Sequence, residues 1–266
     1  MTTGSDFYLT LPSNASMHTY PNNTLTHYIT TLPQRVNLSN GQWECGLSEV
    51  IYPHSWYNVR ESDTWFGIAL RNDDDEKEVD ALKTKIESGY YHGPQNLIKA
   101  INKALLRVLS NTVVRLYYSP ITHKITVVMT SNVVLVGDIL KTILGFGDTI
   151  IRGDMKKKLR KETVIEADYV VDMTRGFDSV YIYTSVIEPR IVGDSHVPLL
   201  RIVPVRGRQS DTVTLTFQKI QYIPVLCRDF DTIEIDIRDD TGRHVPFERG
   251  KLTTTLHFRR RRMALF

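Results

Sequence analysis

The residue types that could do chemistry in this chain lack the spacing that catalysis needs. No Gly-x-Ser-x-Gly turn is present to hold a nucleophilic serine, and no Gly-x-x-x-x-Gly-Lys loop is present to hold phosphate. The motif Gly145-Phe-Gly147 follows a helical pattern, whereas a dinucleotide fingerprint follows a strand. The eight histidines do not fall at i, i+4 on a helix or beside Cys-x-x-Cys. The sequence therefore predicts no enzyme activity, no metal and no cofactor.

Charged clusters are the remaining candidates for binding. The acidic run 73–76 reads as a solvated hairpin tip, and calcium binding there lacks the EF-hand ligand spacing. The basic run 155–161 reads as a solvated loop, with phosphate contact as the alternative. The strongest cluster is Arg259, Arg260, Arg261 and Arg262, because the formal charge of +3 would be −1 without these four arginines. It has three interpretations: contact with nucleic-acid phosphates, salt bridges to an acidic partner, or a solvated tail.

The elements that position these charges are predicted to be strands. In Thr232–Arg238 the residues Ile233, Ile235 and Ile237 alternate with polar residues, and Leu252–Phe258 alternates in the same way directly before the arginines. About a dozen such strands are predicted, and one long helix at Pro94–Leu109 and a brief one at Asp138–Leu144 lie between them. In a strand at 41–53, Trp43, Cys45, Leu47 and Ile51 are expected on one face, and Gly46 indicates a bulge or a close backbone approach.

This distribution predicts an all-β fold, because parallel sheets would need a crossover helix between most pairs of strands. The expected architecture is an antiparallel single jelly-roll β-sandwich with an inserted helix and loop elaboration. No point is apparent at which the chain could be divided into two independent cores.

Composition sets the remaining limits. The 266 residues, 41% hydrophobic and 24% charged, are typical of a globular protein. Cys45 and Cys227 both lie in apolar runs, where a free thiol acting as a small hydrophobe is favoured over a disulfide. No secretory signal and no apolar run of membrane-spanning length is visible, so no membrane association is expected.

Several blocks in order along the chain resemble the penton, or minor capsid, proteins of Polinton (Maverick) elements and adintoviruses. The resemblance spans nearly the whole sequence and rests on the following segments: 6–16 (DFYLTLPSNAS), 43–53 (WECGLSEVIYP), 89–91 (GYY), 144–146 (LGF), 192–194 (VGD), 198–201 (PLLR), 222–225 (YIPV) and 240–258 (DTGRHVPFERGKLTTTLHF).

The resemblance implies a vertex protein of an icosahedral particle. It implies a homopentamer beside a double-jelly-roll major capsid protein, with no enzymatic activity, no cofactor and no small-molecule substrate. The expected location is the virion, after synthesis in the host cytoplasm and assembly there or in the nucleus. A cellular jelly-roll module that binds carbohydrate or peptide, and a transposon-derived nucleic-acid-binding protein, stay open as alternatives.

The expected domain organisation follows from this interpretation. Residues 1–23 form an extended N-terminal arm, in which Asp6, Phe7, Tyr8 and Leu9 contact neighbouring capsid proteins. Residues 24–258 form the jelly roll, with an insertion around 72–165. Residues 259–266 form a basic tail for packaged DNA or an acidic partner.

Overall fold

A computed structural model describes residues 6–38, 42–71, 78–109, 114–129, 133–147, 151–152, 162–174 and 177–261. The chain divides into two compact units, one formed by Met1–Trp56 with Phe177–Phe266 and the other by Tyr57–Gly176. Each unit has its own hydrophobic core. The expectation of a single core is wrong, because the apolar stripe of the central helix packs into the core of its own unit. The predicted domain boundaries stay a prediction.

The elements of the first unit come from both ends of the chain. The N-terminal part supplies β1 (Asp6–Pro12), β2 (His27–Asn37) and β3 (Trp43–Pro53). The second unit follows with β4 (Trp65–Arg71), β5 (Glu78–Lys85), α1 (Pro94–Val108), β6 (Val114–Tyr118), β7 (Ile125–Met129), β8 (Val133–Val136), α2 (Asp138–Thr142), β9 (Ile151–Arg152) and β10 (Thr163–Glu166), and a 3-10 turn at Glu61–Asp63 precedes β4. The C-terminal part supplies β11 (Ser179–Thr184), β12 (Arg190–Val192), β13 (Ser195–Val197), β14 (Leu199–Pro204), β15 (Thr212–Thr216), β16 (Ile223–Pro224), β17 (Asp229–Arg238) and β18 (Thr253–Arg260).

The first unit is an antiparallel jelly-roll sandwich. One sheet has the order β1-β18-β3-β15, with β16 also paired to β3, and the other has the order β14-β11-β17-β2. All of these pairs are antiparallel. Buried side chains of both sheets share one core, which is the arrangement expected of two sheets packed face to face. The predicted fold class is therefore confirmed.

The alternation of apolar residues decides which face of each closing strand is buried. On β17, Ile233, Ile235 and Ile237 are at most 1% exposed, while the polar residues between them are half-buried. On β18, Thr254, Leu256 and Phe258 are fully buried. The period of two predicted from the sequence is confirmed in both strands.

The face predicted for β3 is correct only for its first half. Cys45 and Leu47 are fully buried, but the pattern then shifts, so that Val50 and Tyr52 are buried and Ile51 is only half-buried. The cause is a bulge, because Thr255 of β18 pairs with Glu49 while the next residue of β18 pairs with Leu47. An extra residue in one strand moves every later side chain to the other face. The placement of Ile51 beside Cys45 is therefore wrong.

The second unit packs two small sheets with two helices. Its sheets have the orders β5-β4-β8-β9 and β10-β7-β6. Helix α1 buries Leu97, Ile101 and Leu105 in the core of this unit, as their three- and four-residue spacing predicts. The predicted helix at Pro94–Leu109 is confirmed to within one residue. Helix α2 is shorter than predicted and ends at Thr142.

The short strands, the two cysteines and the lengths of the helices complete the comparison with the sequence prediction. The short strands β9 and β10 and the β12–β13 hairpin were not predicted, because two to four residues give too little alternation to recognise. Both cysteines are free, but only Cys45 is buried, and the expectation that Cys227 acts as a buried hydrophobe is wrong because it is exposed. In the part of the chain that the structure describes, no helix is long and apolar enough to cross a membrane.

Candidate assembly surface

The two segments singled out in the sequence lie next to each other. Strand β1 is the edge strand of its sheet and pairs with β18, so that residues from opposite ends of the chain stand side by side. Asp6 pairs with Arg259 and Tyr8 pairs with His257. The alternation of the two strands sends one set of side chains into the core and the other set to the outer face.

Phe7 and Leu9 point inward. The ring of Phe7 stacks on Phe258, with centroids 4.9 Å apart, and lies 5.6 Å from the ring of Trp43. Leu9 packs against the same core. Both side chains thus fix β1 to its own sandwich, and their predicted contact with a neighbouring capsid protein stays a prediction.

Tyr8 and His257 occupy the outer face. Tyr8 is 58% exposed and stacks on the imidazole of His257, with centroids 4.2 Å apart. His257 itself is only 6% exposed, because the ring of Tyr8 covers one side and Tyr222 lies on another.

The hydrogen bonds of His257 define its tautomer. Nε2 lies 3.3 Å from the carboxylate of Asp6, which can only accept a hydrogen bond when ionised, so Nε2–H donates. In the neutral ring, Nδ1 then accepts from the hydroxyl of Tyr222, 2.7 Å away. In the protonated ring, Nδ1–H donates to the same oxygen. Both charge states of His257 are therefore satisfied by the same neighbours.

Arg259 continues this cluster toward β3. Its Nε–H donates to Oε1 of Glu44 at 2.6 Å, and its guanidinium lies 3.5 Å from the centroid of the Tyr222 ring. Burial raises the pKa of Tyr222, and the nearby positive charge of Arg259 opposes this effect. Arg259 is therefore committed to contacts within its own sheet. We call the residues Asp6, Tyr8, Glu44, Tyr222, His257 and Arg259 the outer cluster.

The other described arginines predicted to contact a partner are not paired in the way that Arg259 is. Arg260 is exposed and lies 5.7 Å from the centroid of the Trp43 ring. Arg261 is exposed, and its backbone N–H donates to the carbonyl of Gln42 at 2.8 Å. Arg262 lies outside the described residues, as do the acidic run 73–76 and the basic run 155–161. The structure thus brings Asp6, Tyr8 and Arg259 together and leaves Arg260 and Arg261 exposed.

Sequence reasoning missed Tyr222 and Glu44. Tyr222 lies just before β16, on the segment that passes Gly46, where an added Cβ would lie 2.5 Å from the carbonyl oxygen of Gln221. The predicted close backbone approach at Gly46 is thereby confirmed. In the sequence, Gly46 indicated that some segment packs closely on β3, but it did not identify which segment.

Within the outer cluster, the charged side chains pair with one another, and Tyr8 presents an exposed aromatic ring to solvent. Among the described residues, no group of three or more His, Cys, Asp or Glu side chains is placed to hold a metal ion.

The chain is similar in fold to a solved penton protein. The mavirus penton protein matches over 95% of this chain and 99% of its own, with a TM-score of 0.54 and 9% identical residues. A chain in the cryo-EM structure of the Sputnik virophage matches over 97% of this chain and 98% of its own, with a TM-score of 0.49 and 9% identity. No protein-family model matches the sequence, and no curated protein matches it. The likeness agrees with the penton resemblance carried by the sequence, and this chain shares the fold of the mavirus penton protein.

Proposed function

We propose that this chain is a structural minor capsid protein, a penton, that occupies the vertices of an icosahedral particle as a homopentamer. The observation that carries the proposal is the shared fold with the mavirus penton protein over 95% of this chain and 99% of that one. The match therefore takes in both units and is not confined to the jelly roll, which many unrelated proteins share.

The β2 edge of the sandwich favours assembly through side chains over continuous sheet pairing. On the open side of β2, the side chain of Asn23 accepts from the Ile29 N–H at 3.0 Å and donates to the Ile29 carbonyl at 2.9 Å. The N–H of Thr31 donates to Oγ of Ser16 at 2.9 Å. An edge blocked in this way does not accept a further strand. Five copies would then meet through strand flanks and loops in a head-to-tail ring.

The proposal extends to partners and location. The ring would stand among copies of a double-jelly-roll major capsid protein in the virion, after synthesis in the host cytoplasm and assembly there or in the nucleus. The outward residue Tyr8 is the proposed capsid contact on β1. Arg260 and Arg261, with Arg262, are the proposed contact for packaged DNA or for an acidic partner. The role is structural, without catalysis, cofactor, small-molecule substrate or membrane.

The mass in solution tests the pentamer. Five copies of 30.6 kDa give about 153 kDa, which light scattering of the purified protein can measure. Negative-stain images should show rings with fivefold symmetry. A lone, non-associating molecule under every condition would contradict the proposal. A stable dimer or trimer would favour the carbohydrate- or peptide-binding module. A monomer that binds DNA with steep salt dependence would favour the nucleic-acid-binding alternative.

A further inference from the structure

A cavity of about 290 Å³ lies where the end of β18 passes the start of β3. Its wall includes four residues whose side chains carry hydrogen-bond donors: Gln42, Trp43, Arg228 and Arg261. Glu188 and Leu226 also line this cavity. Four separate segments of the first unit thus converge on one opening.

The two arginines in this wall differ from three other arginines of the first unit. Arg35, Arg238 and Arg259 each have a carboxylate oxygen within 3.2 Å. In contrast, no carboxylate of the described chain forms an ion pair within 4.0 Å of Arg228 or Arg261, although Glu188 lines the same cavity. Arg228 and Arg261 therefore line one cavity, and neither is ion-paired within the described chain.

Trp43 gives a second, independent indication. The residue is only 5% exposed, and its indole Nε1–H has no hydrogen-bond partner among the described residues. Trp43 lines the cavity, and buried donors in folded proteins are nearly always satisfied, so its indole is a candidate to receive an acceptor from outside the described chain. A carboxylate is such an acceptor, and it also satisfies guanidinium groups.

We propose that this cavity binds an acidic side chain from an extended segment of a neighbouring capsid protein, with its carboxylate held by Arg228 and Arg261. The inference rests on the proposed capsid function and names one contact within it. Leu226, which is 56% exposed at the rim, offers an apolar surface to a flanking side chain of the same segment. The site therefore fits an acidic residue flanked by apolar ones.

DNA fits the cavity less well than a peptide. Proteins that hold duplex DNA present a stripe of cations to successive phosphates, whereas the two arginines here share one local cavity of about 290 Å³. The carboxylate of Glu188 in its wall also opposes a phosphodiester chain, which carries a charge at every nucleotide. The side chain of Leu226 at the rim can neither donate a hydrogen bond to a phosphate nor pair with its charge.

A peptide titration tests the site. The probe is a fluorescein-labelled, capped peptide Gly-Leu-Glu-Leu-Gly, compared with the same peptide carrying Gln in place of Glu and with a short oligothymidylate. Fluorescence anisotropy should show that the Glu peptide binds the full chain about tenfold more tightly than the Gln peptide. The double variant Arg228→Gln, Arg261→Gln should lose this preference. The variant Arg208→Gln removes one exposed arginine elsewhere in the same unit and should keep it.

Alkylation of Cys227 reports whether the peptide binds in this cavity. Cys227 is exposed and lines the cavity, whereas Cys45 is buried, so a thiol-specific alkylating reagent should modify Cys227 alone in the folded protein. The Glu peptide should slow this modification severalfold, and the Gln peptide should not. Equal binding of the two peptides, unchanged binding by the double variant, or no protection of Cys227 would each overturn the inference. So would oligothymidylate binding that the double variant abolishes without any preference for the Glu peptide.

The same samples separate this inference from the proposed function. If light scattering shows a pentamer while the peptide fails to bind, only the cavity assignment is wrong. If the protein is monomeric in every condition yet binds the Glu peptide at this site, the peptide-binding site stands and the capsid role is wrong.

Discussion

Tyr8 stacks on His257 with ring centroids 4.2 Å apart, so a residue of the first strand covers a residue of the last one. The stack lies on the outer face of an edge strand, which has a neighbouring strand on one side only. Aromatic pairs of this kind contribute about 1 kcal/mol beyond the area that they bury. The N-terminal strand is therefore held to the sandwich from both faces, by Phe7 within and by Tyr8 without.

Replacing Tyr8 with alanine should loosen β1 without unfolding the sandwich. We expect faster hydrogen exchange at the amides of β1 and a free energy of unfolding lower by about 1 kcal/mol, because the substitution removes the stack and exposes His257. Hydrogen exchange resolved by residue measures the first effect and denaturant titration the second.

Two variants serve as controls for this prediction. Tyr8→Phe keeps the ring and should behave like the wild type. Tyr117→Ala removes a similarly exposed tyrosine from β6 in the second unit and should leave exchange in β1 unchanged. Exchange in β1 of Tyr8→Ala at the wild-type rate would show that the stack does not hold the strand.

The pairing of β1 with β18 also shows what the sequence could and could not predict. Alternation identified the inner residues of β17 and β18 because a period of two reports which face of a strand is buried. It could not reveal that Asp6 stands opposite Arg259, since the choice of partner strand depends on the packing of the whole sandwich. It failed at Ile51 for a local reason, because a one-residue bulge leaves no mark in the apolar pattern before it. Tyr222 was not identified as a candidate site residue, because Pro224 interrupts any strand pattern around it.

The contact between Gly46 and the segment before β16 leads to a second prediction. A Cβ added at Gly46 would lie 2.4 Å from Cγ2 of Ile220 and 2.5 Å from the carbonyl oxygen of Gln221. Because the second contact is with backbone, the segment must move, and Gly46→Ala should lower the free energy of unfolding by about 1–3 kcal/mol. The Val225 N–H, which donates to the Trp43 carbonyl at 3.0 Å, should lose protection from hydrogen exchange.

Gly193→Ala is the matched control for this effect. Gly193 has a φ of +61° but open space around its Cα, so alanine there strains only the tip of the β12–β13 hairpin. Protection of the Val225 amide should stay at the wild-type value in this variant. Full protection of the Val225 amide in Gly46→Ala would show that a Cβ at position 46 does not displace the segment before β16.

The buried thiol of Cys45 predicts how stability responds to alkaline pH. Burial raises the pKa of Cys45 above that of a thiol in the unfolded chain. The neutral thiol therefore stabilises the folded state fully below the unfolded pKa of about 8.5, and stability falls as the pH rises beyond it. We expect the free energy of unfolding of the wild type to fall by up to about 1.4 kcal/mol per pH unit from this group.

Cysteine variants isolate this contribution. Cys45→Ala should be about 1 kcal/mol less stable at neutral pH, because it leaves a small cavity, but its stability should fall less steeply between about pH 8.5 and pH 10. Cys227→Ala removes the exposed thiol and should retain the wild-type fall. Denaturant titrations at a series of pH values supply the comparison, and equally steep curves for Cys45→Ala and the wild type would contradict the assignment.

Arg259 and Arg260 are neighbours in sequence but should respond differently to substitution. Arg259 forms an ion pair with Glu44 at 2.6 Å and stacks on Tyr222, whereas Arg260 has only a distant contact with the ring of Trp43. Because the side chain of Arg259 is 42% exposed, solvent weakens the pair, and we expect Arg259→Ala to cost about 0.5–1 kcal/mol. Arg260→Ala should change the free energy of unfolding by less than about 0.5 kcal/mol.

A double-mutant cycle with Glu44→Ala and Arg259→Ala measures the pair directly. The side chain of Glu44 is only 13% exposed, so removing Arg259 leaves a carboxylate that is largely shielded from water and lacks its cation. The two substitutions should therefore be less costly together than the sum of each alone, with a coupling energy of about 0.5–1 kcal/mol. Added salt should reduce this coupling, because the arginine is half-exposed. A coupling energy of zero would mean that Arg259 is not committed to its own sheet, and all four arginines would then be equivalent candidates for the contact with DNA or with an acidic partner.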